Sequence, residues 1–180
     1  MVYDNNHFQH VCKEVKRHLE DSEISKLAHW YAATVYDRRY KICIGLPATF
    51  FSIIITWMLS ANVQDYFKSN PGQNTYIIQL PLLLSLIVSI LSGLGTFLDF
   101  RELATKHRTA AENLHSLWRD CKNWETDFPD AEMCEKAVQT IQLYRKRLNE
   151  INRDAPQIPK WAWKSVNSQR KEGSINYANE

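Results

Sequence analysis

Two long stretches of the chain carry no charged residue, although charges are spread over the rest of it. The 22 Lys and Arg residues and the 20 Asp and Glu residues all lie outside positions 42–61 and 76–98. At about 1.5 Å of rise per residue, helices over these stretches are about 30 and 34 Å long, and the hydrocarbon core of a bilayer is about 30 Å thick. The pattern therefore predicts two transmembrane helices. A buried helix pair in a soluble bundle, or one re-entrant segment, is the alternative.

The segment that joins the two stretches, 62–75, has the composition of a turn. Its positions 70–74 read Asn-Pro-Gly-Gln-Asn, and it contains a single basic residue, Lys68. Six basic residues lie just beyond the outer ends of the two stretches: Arg38, Arg39, Lys41, Arg101, Lys106 and Arg108. Because Lys and Arg accumulate on the cytoplasmic side of membrane proteins, both termini are predicted to be cytoplasmic and the linker extracytoplasmic.

The same six basic residues form a candidate cluster at the membrane interface. Arg and Lys side chains bind phosphate groups, so a nucleotide is one possible ligand of such a cluster. The anionic lipid of a cytoplasmic leaflet attracts the same side chains, and the predicted topology already accounts for their position. Lipid contact is therefore favoured over a dedicated phosphate site.

The region before the first span, 1–41, has helical periodicity. Phe8, Val11, Val15 and Leu19 are spaced 3, 4 and 4 residues apart, which is typical of one apolar helix face. Asp21-Ser22 then resembles an N-cap, which predicts the start of a second helix. The apolar stripe of that second helix is expected to consist of Ile24, Leu27, Tyr31, Thr34 and Arg38.

Residues 99–155 are predicted to be cytoplasmic helices that continue from the second span. No stop signal occurs before Phe128-Pro129, so one unbroken helix is expected from the span to about Trp124. It carries a seam with 4-3-4-3-4-3 spacing: Leu103, His107, Ala110, Leu114, Leu117, Cys121 and Trp124. Such a seam packs either against a second copy, as in a coiled coil, or against neighbouring helices of the same chain, and both remain open.

A further helix is expected from about residue 131 to 153, and it ends at Asp154-Ala155-Pro156. Its apolar face contains Ala137, Ile141, Tyr144, Leu148 and Ile151. The remainder, 156–180, is a basic segment with Pro and Trp followed by a tail that is expected to be disordered.

Composition and motifs exclude several classes of function. A net charge of +2 with 6 Trp, 8 Tyr and 7 Phe argues against disorder and against direct nucleic-acid binding. The four cysteines contain no C-x-x-C pair, and His7 and His10 have no second pair of ligands, so no metal site is expected. No H-E-x-x-H, G-x-S-x-G or Walker motif occurs, so neither a cofactor nor an enzymatic activity is predicted.

The second span carries a polar stripe on one helix face, at spacing 4-3-4-3. It consists of Ser85, Ser89, Ser92, Thr96 and Asp99. The stripe either lines a water-filled pore or packs helices closely together through small residues and hydroxyls. The first span carries a similar set that is a candidate matching surface: Gly45, Thr49, Ser52, Thr56 and Ser60.

Three segments together resemble a known family. They are Tyr-Asp-Arg-Arg-Tyr-Lys at 36–41 leading into Ile-Gly-Leu-Pro-Ala at 44–48, the run 86–100 leading into Lys-His-Arg-Thr-Ala-Ala at 106–111, and Asp-Ala-Pro-Gln-Ile-Pro-Lys-Trp at 154–161. About residues 25–165 resemble the SLATT family, the SMODS- and SLOG-associated two-transmembrane effectors. The resemblance implies a bacterial antiviral-defence effector that perturbs the inner membrane and stops the infected cell. It also implies a trigger from a nucleotide second messenger or a partner defence protein.

These observations predict an all-α membrane protein, in which a two-span transmembrane hairpin extends into a cytoplasmic helical bundle. It is expected to be a multi-pass protein of the bacterial inner membrane and a homo-oligomer, because one hairpin is too small to enclose a conduit. The alternative function is that of a membrane-anchored scaffold whose cytoplasmic bundle docks a partner enzyme.

Overall fold

A computed structural model describes residues 5–69 and 75–171, and no strand occurs in this part of the chain. The helices are α1 (Asn5–Tyr40), α2 (Leu46–Met58), α3 (Ala61–Ser69), α4 (Thr75–Leu98), α5 (Phe100–Lys122), α6 (Trp124–Asp127), α7 (Cys134–Asp154) and α8 (Lys160–Lys171). The prediction of an all-α chain is confirmed. The chain divides into two compact units, a bundle unit (Met1–Thr34 with Leu103–Glu180) and a hairpin unit (Val35–Glu102).

Helix α1 is continuous, so the predicted helix start at Asp21-Ser22 is wrong. Ser22 is fully buried within the helix, and its Oγ donates a hydrogen bond of 2.9 Å to the carbonyl oxygen of Leu19. A serine hydroxyl that bonds back to the preceding turn is satisfied inside a helix and does not cap a new one. The two predicted amphipathic segments are therefore one helix of 36 residues.

The core of the bundle unit lies between α1, α5 and α7. The predicted stripe at the start of α1 and the predicted face of α7 both contribute buried side chains to it. Its buried members are Phe8, Val11, Val15, Leu19, Leu114, Leu117, Cys121, Trp124, Cys134, Ala137, Ile141 and Leu148. Because helix faces of this width bury best against two neighbours, a three-helix bundle follows from the periodicity.

The second half of the predicted α1 stripe is displaced. Tyr31 and Thr34 are exposed, whereas Ala28 and Ala32 are fully buried. Since α1 does not restart at Ser22, the face set by its first half continues through Ser22, His29 and Ala33, all of which are buried. Ile24 and Ala28 are buried on a second face, where they pack with Val166, and the large Tyr31 is exposed.

The basic segment after residue 156 contains a helix, α8, which the sequence analysis did not predict. Ala162 and Val166, four residues apart, are buried, and Val166 packs with Ile24 and Ala28 of α1. The tail beyond residue 171 and the expected turn at 70–74 lie outside the described residues.

Two departures from ideal helix geometry lie at the start of the first span and at the end of the second. Lys41–Gly45 forms a π-helical turn just before Pro47, where a wider turn relieves the clash between a proline ring and the preceding carbonyl groups. Asp99 has a φ of 46° and separates α4 from α5, and Asn123 separates α5 from α6, so the expected unbroken helix through to Trp124 is interrupted at these two residues. Aspartate tolerates this left-handed conformation better than most residues.

The second predicted span closely matches α4, and the first is made of the π-helical turn and α2. The first half of the linker after the first span is also helical and belongs to α3. Both spans are long and apolar enough to cross a membrane.

Candidate functional site

The two spans pack against each other in an antiparallel arrangement. Ile44, at the start of the first span, lies so close to Gly95, near the end of the second, that a Cβ on Gly95 would come within 3.1 Å of the isoleucine side chain. At the opposite end of the hairpin, Met58 and Leu84 are buried. The inner seam is made of Ile44, Ala48, Phe51, Ile55, Met58, Leu84, Val88, Leu91 and Gly95, all of which have reduced exposure; other residues of the spans, Ile54 and Ile87 among them, have reduced exposure as well.

The outer surface of the hairpin is unusually apolar. Apart from Trp30, Tyr31, Leu143 and Trp163, every large hydrophobic side chain exposed in the described chain lies between residues 42 and 98. Only 11% and 6% of the residues in the most apolar windows of the two spans are buried, so neither span is a buried core helix within this chain. An apolar surface of this extent requires a non-aqueous environment or a protein partner.

All five residues of the polar stripe on the second span are exposed. Ser85, Ser89 and Ser92 each come one position after a residue of the inner seam of α4. On α2, the same holds for Thr49, Ser52 and Thr56, which each come one position after a seam residue: Ala48, Phe51 and Ile55. One residue corresponds to a rotation of about 100° around a helix.

The two sets of hydroxyls therefore lie on the same side of the hairpin. When two antiparallel helices face each other, the residue that follows an inward-facing residue points to the same side of the pair in both helices. This hydroxyl face consists of Thr49, Ser52, Thr56, Ser85, Ser89, Ser92 and Thr96. The set on the first span is thus a neighbour of the stripe and not a surface packed against it within the chain. The opposite side of the hairpin carries the large exposed side chains of Phe50, Trp57, Leu83, Ile90 and Leu94.

Six of the seven hydroxyl groups on this face donate a hydrogen bond within their own helix. Thr49, Ser52 and Thr56 donate to carbonyl oxygens four residues earlier at 2.8–2.9 Å. On α4, Ser85 and Ser89 do the same at 2.8 and 2.9 Å with carbonyl groups of the preceding turn. A hydroxyl oxygen that has donated its proton still has lone pairs, so each can accept a hydrogen bond from water or contact a cation weakly.

The six basic residues of the predicted interface cluster are all exposed. Lys41 forms an ion pair of 2.7 Å with Asp37, one turn earlier on the helix. Arg38, Arg39, Lys41 and Arg101 belong to the hairpin unit, whereas Lys106 and Arg108 belong to the bundle unit. Asp99, the acidic end of the polar stripe, is exposed at the break between α4 and α5.

The predicted seam on α5 is used inside the chain. Leu114 and Leu117 are fully buried, Cys121 and Trp124 are 2% exposed, and His107 and Ala110 are also buried, whereas Leu103 is half-buried. These side chains face α1 and α7, so they leave no free coiled-coil surface on this face of α5. Burial raises the pKa of Cys121 to about 12, which keeps the thiol protonated and unreactive.

The structure pairs two buried histidines that the sequence analysis left separate. The Nδ1 atoms of His29 on α1 and His107 on α5 are 2.7 Å apart, which is a hydrogen bond between one protonated and one unprotonated nitrogen. Burial, together with the neighbouring His107, lowers the pKa of His29 to about 4, and burial lowers the pKa of His107. No periodicity or motif links two residues 78 positions apart.

Within the described residues, no group of three or more His, Cys, Asp or Glu side chains is placed to hold a metal ion. The described part of the hairpin offers a polar face for contact with water, ions or another hairpin. No family model, no curated protein and no solved structure matches the chain.

Proposed function

We propose that this chain is a bacterial antiviral-defence effector that permeabilises or depolarises the inner membrane when it is activated. Its two spans cross the membrane, the bundle unit lies in the cytoplasm, and several copies assemble through the spans. The observation that carries the proposal is the division of the hairpin surface into a hydroxyl face and an apolar face.

This division matches what a subunit of an oligomeric conduit requires. The apolar side, with Phe50, Trp57 and Ile90, is suited to lipid. The hydroxyl face, contributed by both spans, offers oxygen lone pairs along the whole length of the hairpin. In a ring of hairpins with the hydroxyl faces turned inward, a ring of Asp99 side chains at one end favours cations.

The role in defence rests on the resemblance to the SLATT family, which also supplies the expected trigger, a nucleotide second messenger or a partner defence protein. Because the α5 seam is buried within the chain, assembly is assigned to the spans. Hydroxyl-bearing faces of this type also pack helices together, so the same surface can hold copies together at rest and line a path when active.

Replacing Ser89 and Ser92 together by leucine tests the conduit directly. The hydroxyl face then becomes apolar at mid-span, and an apolar constriction expels water and blocks ions. We expect the variant to insert normally. On overexpression the wild type should arrest growth and depolarise the membrane, and the variant should do neither. Membrane potential is read with a voltage-sensitive dye, and insertion by membrane fractionation.

The matched control is the double variant Ser89→Thr and Ser92→Thr, which adds bulk at the same positions and keeps both hydroxyls. It should remain toxic. A leucine variant that inserts and still depolarises cells contradicts the conduit. Wild-type protein that never depolarises cells, even under phage challenge beside its genomic neighbours, favours the scaffold that docks a partner enzyme.

The proposed topology is tested with the separate variants Gln73→Cys in the linker and Gln139→Cys on α7, and the buried Cys121 and Cys134 are retained. In a background with Cys12 and Cys43 replaced by alanine, an impermeant thiol reagent applied to intact cells should label the cysteine at Gln73 only. The physical reason is the excess of Lys and Arg beyond the outer ends of the spans. Labelling at Gln139 alone would reverse the orientation, and labelling at both positions would contradict the hairpin.

A further inference from the structure

Helix α8 has two chemically distinct sides. Ala162 and Val166 are buried, and Val166 packs with Ile24 and Ala28 of α1. On the other side, Lys160, Trp163, Lys164 and Asn167 are exposed at spacings of 3, 1 and 3 residues, which places them on one helix face. We call these four residues the basic-aromatic face.

The charge of this segment has one sign. Residues 156–171 contain Lys160, Lys164, Arg170 and Lys171 and no Asp or Glu. Trp163 is 41% exposed and lies in sequence between the two lysines, so a large aromatic ring meets solvent beside positive charge. Trp163 and Asn167, at the edge of this face, also line a cavity with Asp21 and Ser25 of α1. Indole rings and lysine side chains favour the head-group region of a bilayer, because each has an apolar body and a polar end.

The face is held in a fixed position on the bundle unit. The rings of Trp161 and Tyr31 meet edge to face with centroids 5.7 Å apart, next to the buried contact of Val166 with α1. Tyr31 precedes Lys41, where the first span begins, by ten residues. Ten residues of chain reach at most about 35 Å in any conformation, so the chain ties α8 to the inserted span by a short tether.

We propose that the basic-aromatic face of α8 docks on the anionic lipid surface next to the spans. This inference rests on the proposed insertion of the two spans with the bundle unit on the cytoplasmic side. Trp163 enters the head-group region, and Lys160 and Lys164 contact lipid phosphates. Charge complementarity selects this occupant: an anionic leaflet meets a helix that carries positive charge and an exposed tryptophan, as in helices that lie in the membrane interface.

The experiment uses the full chain in lipid nanodiscs that contain a brominated lipid, which quenches tryptophan fluorescence on contact. Because the chain has 6 Trp, the contribution of Trp163 is the difference between the wild type and Trp163→Phe. We expect this contribution to be quenched in discs rich in phosphatidylglycerol and unquenched in discs of phosphatidylcholine alone. Equal quenching in both lipids, or in neither, overturns the proposal.

The lysines are tested by the double variant Lys160→Gln and Lys164→Gln in phosphatidylglycerol discs. It should lower the ratio of docked to undocked α8 by roughly thirty-fold. The matched control is Lys136→Gln with Lys146→Gln, which removes the same charge from exposed positions on α7 and should leave quenching unchanged. A control variant that lowers quenching as strongly as the α8 variant would assign the effect to net charge and overturn the proposal.

Two further results separate this inference from its alternatives. Inorganic phosphate at constant ionic strength should not release Trp163 from the lipid, and release would indicate a site for a free anion. Incorporation of the chain into the discs reports on the spans alone. Discs that contain inserted chain but show no quenching of Trp163 therefore overturn the docking of α8 and leave the proposed function standing, whereas failure to insert contradicts both.

Discussion

Replacing Leu117 by aspartate is expected to unfold the bundle unit. Leu117 is fully buried between α1 and α7, beside Leu114 and Trp124. Loss of the buried leucine side chain costs about 2–5 kcal/mol, and an unpaired charge in its place costs several more. Together these costs approach or exceed the total stability of about 5–15 kcal/mol that is typical of a domain. The expected result is loss of helical circular dichroism and of cooperative unfolding in detergent.

The matched control is Leu143→Asp on α7, where the leucine is 65% exposed. Its cost should be no more than about 0.5 kcal/mol, from helix propensity alone. The comparison also decides whether the α5 seam packs within one chain or joins two chains. A Leu117→Asp protein that keeps its helical content and only falls from oligomer to monomer would show that the seam joins separate chains, against the core described above.

The sequence correctly predicts those elements whose position depends only on the preference of side chains for water or for an apolar environment. The two spans follow from runs without charge, and the faces of α1 and α7 at Phe8, Val15 and Ile141 follow from helical periodicity. Burial in such cases depends only on hydrophobicity and spacing, and both can be counted along the chain.

The errors share a different physical cause. Ser22 looks like a cap, but its hydroxyl is satisfied by Leu19 in the preceding turn. Asp99 breaks the helix although no proline follows it before Pro129. The side of the hairpin on which Thr49 and Ser89 lie depends on which faces of α2 and α4 meet. These features depend on local satisfaction of polar groups or on the register between helices, and neither is visible in the periodicity of a single segment.

The stability of the bundle unit is expected to fall as the pH decreases from about 6.5 toward 4. His29 and His107 are buried, and the native state holds both rings neutral, with the pKa of His29 at about 4 and that of His107 lowered. In the unfolded chain a histidine binds a proton near pH 6.5. Because the unfolded state binds more protons in this range, the contribution is complete above about pH 6.5 and is lost as the pH falls toward the native pKa.

The expected size of the effect follows from the shift of His29, which is 2% exposed. A shift from 6.5 to about 4 corresponds to about 3 kcal/mol of unfolding free energy when the loss is complete. The geometry gives the same sign. A proton added to the accepting Nδ1 would place two N–H groups face to face at 2.7 Å. Burial also lowers the pKa of His18, which adds to the same slope.

Urea unfolding in detergent at several pH values between 7.5 and 4.5 measures this dependence. The double variant His29→Asn with His107→Asn keeps polar side chains that do not titrate, so its unfolding free energy should fall by about 2.5 kcal/mol less than that of the wild type over this range. Replacing the exposed His10 by asparagine is the control and should leave the slope unchanged. If the double variant and the wild type lose stability in parallel, the two histidines are not held neutral in the native bundle, and the acid sensitivity comes from other groups.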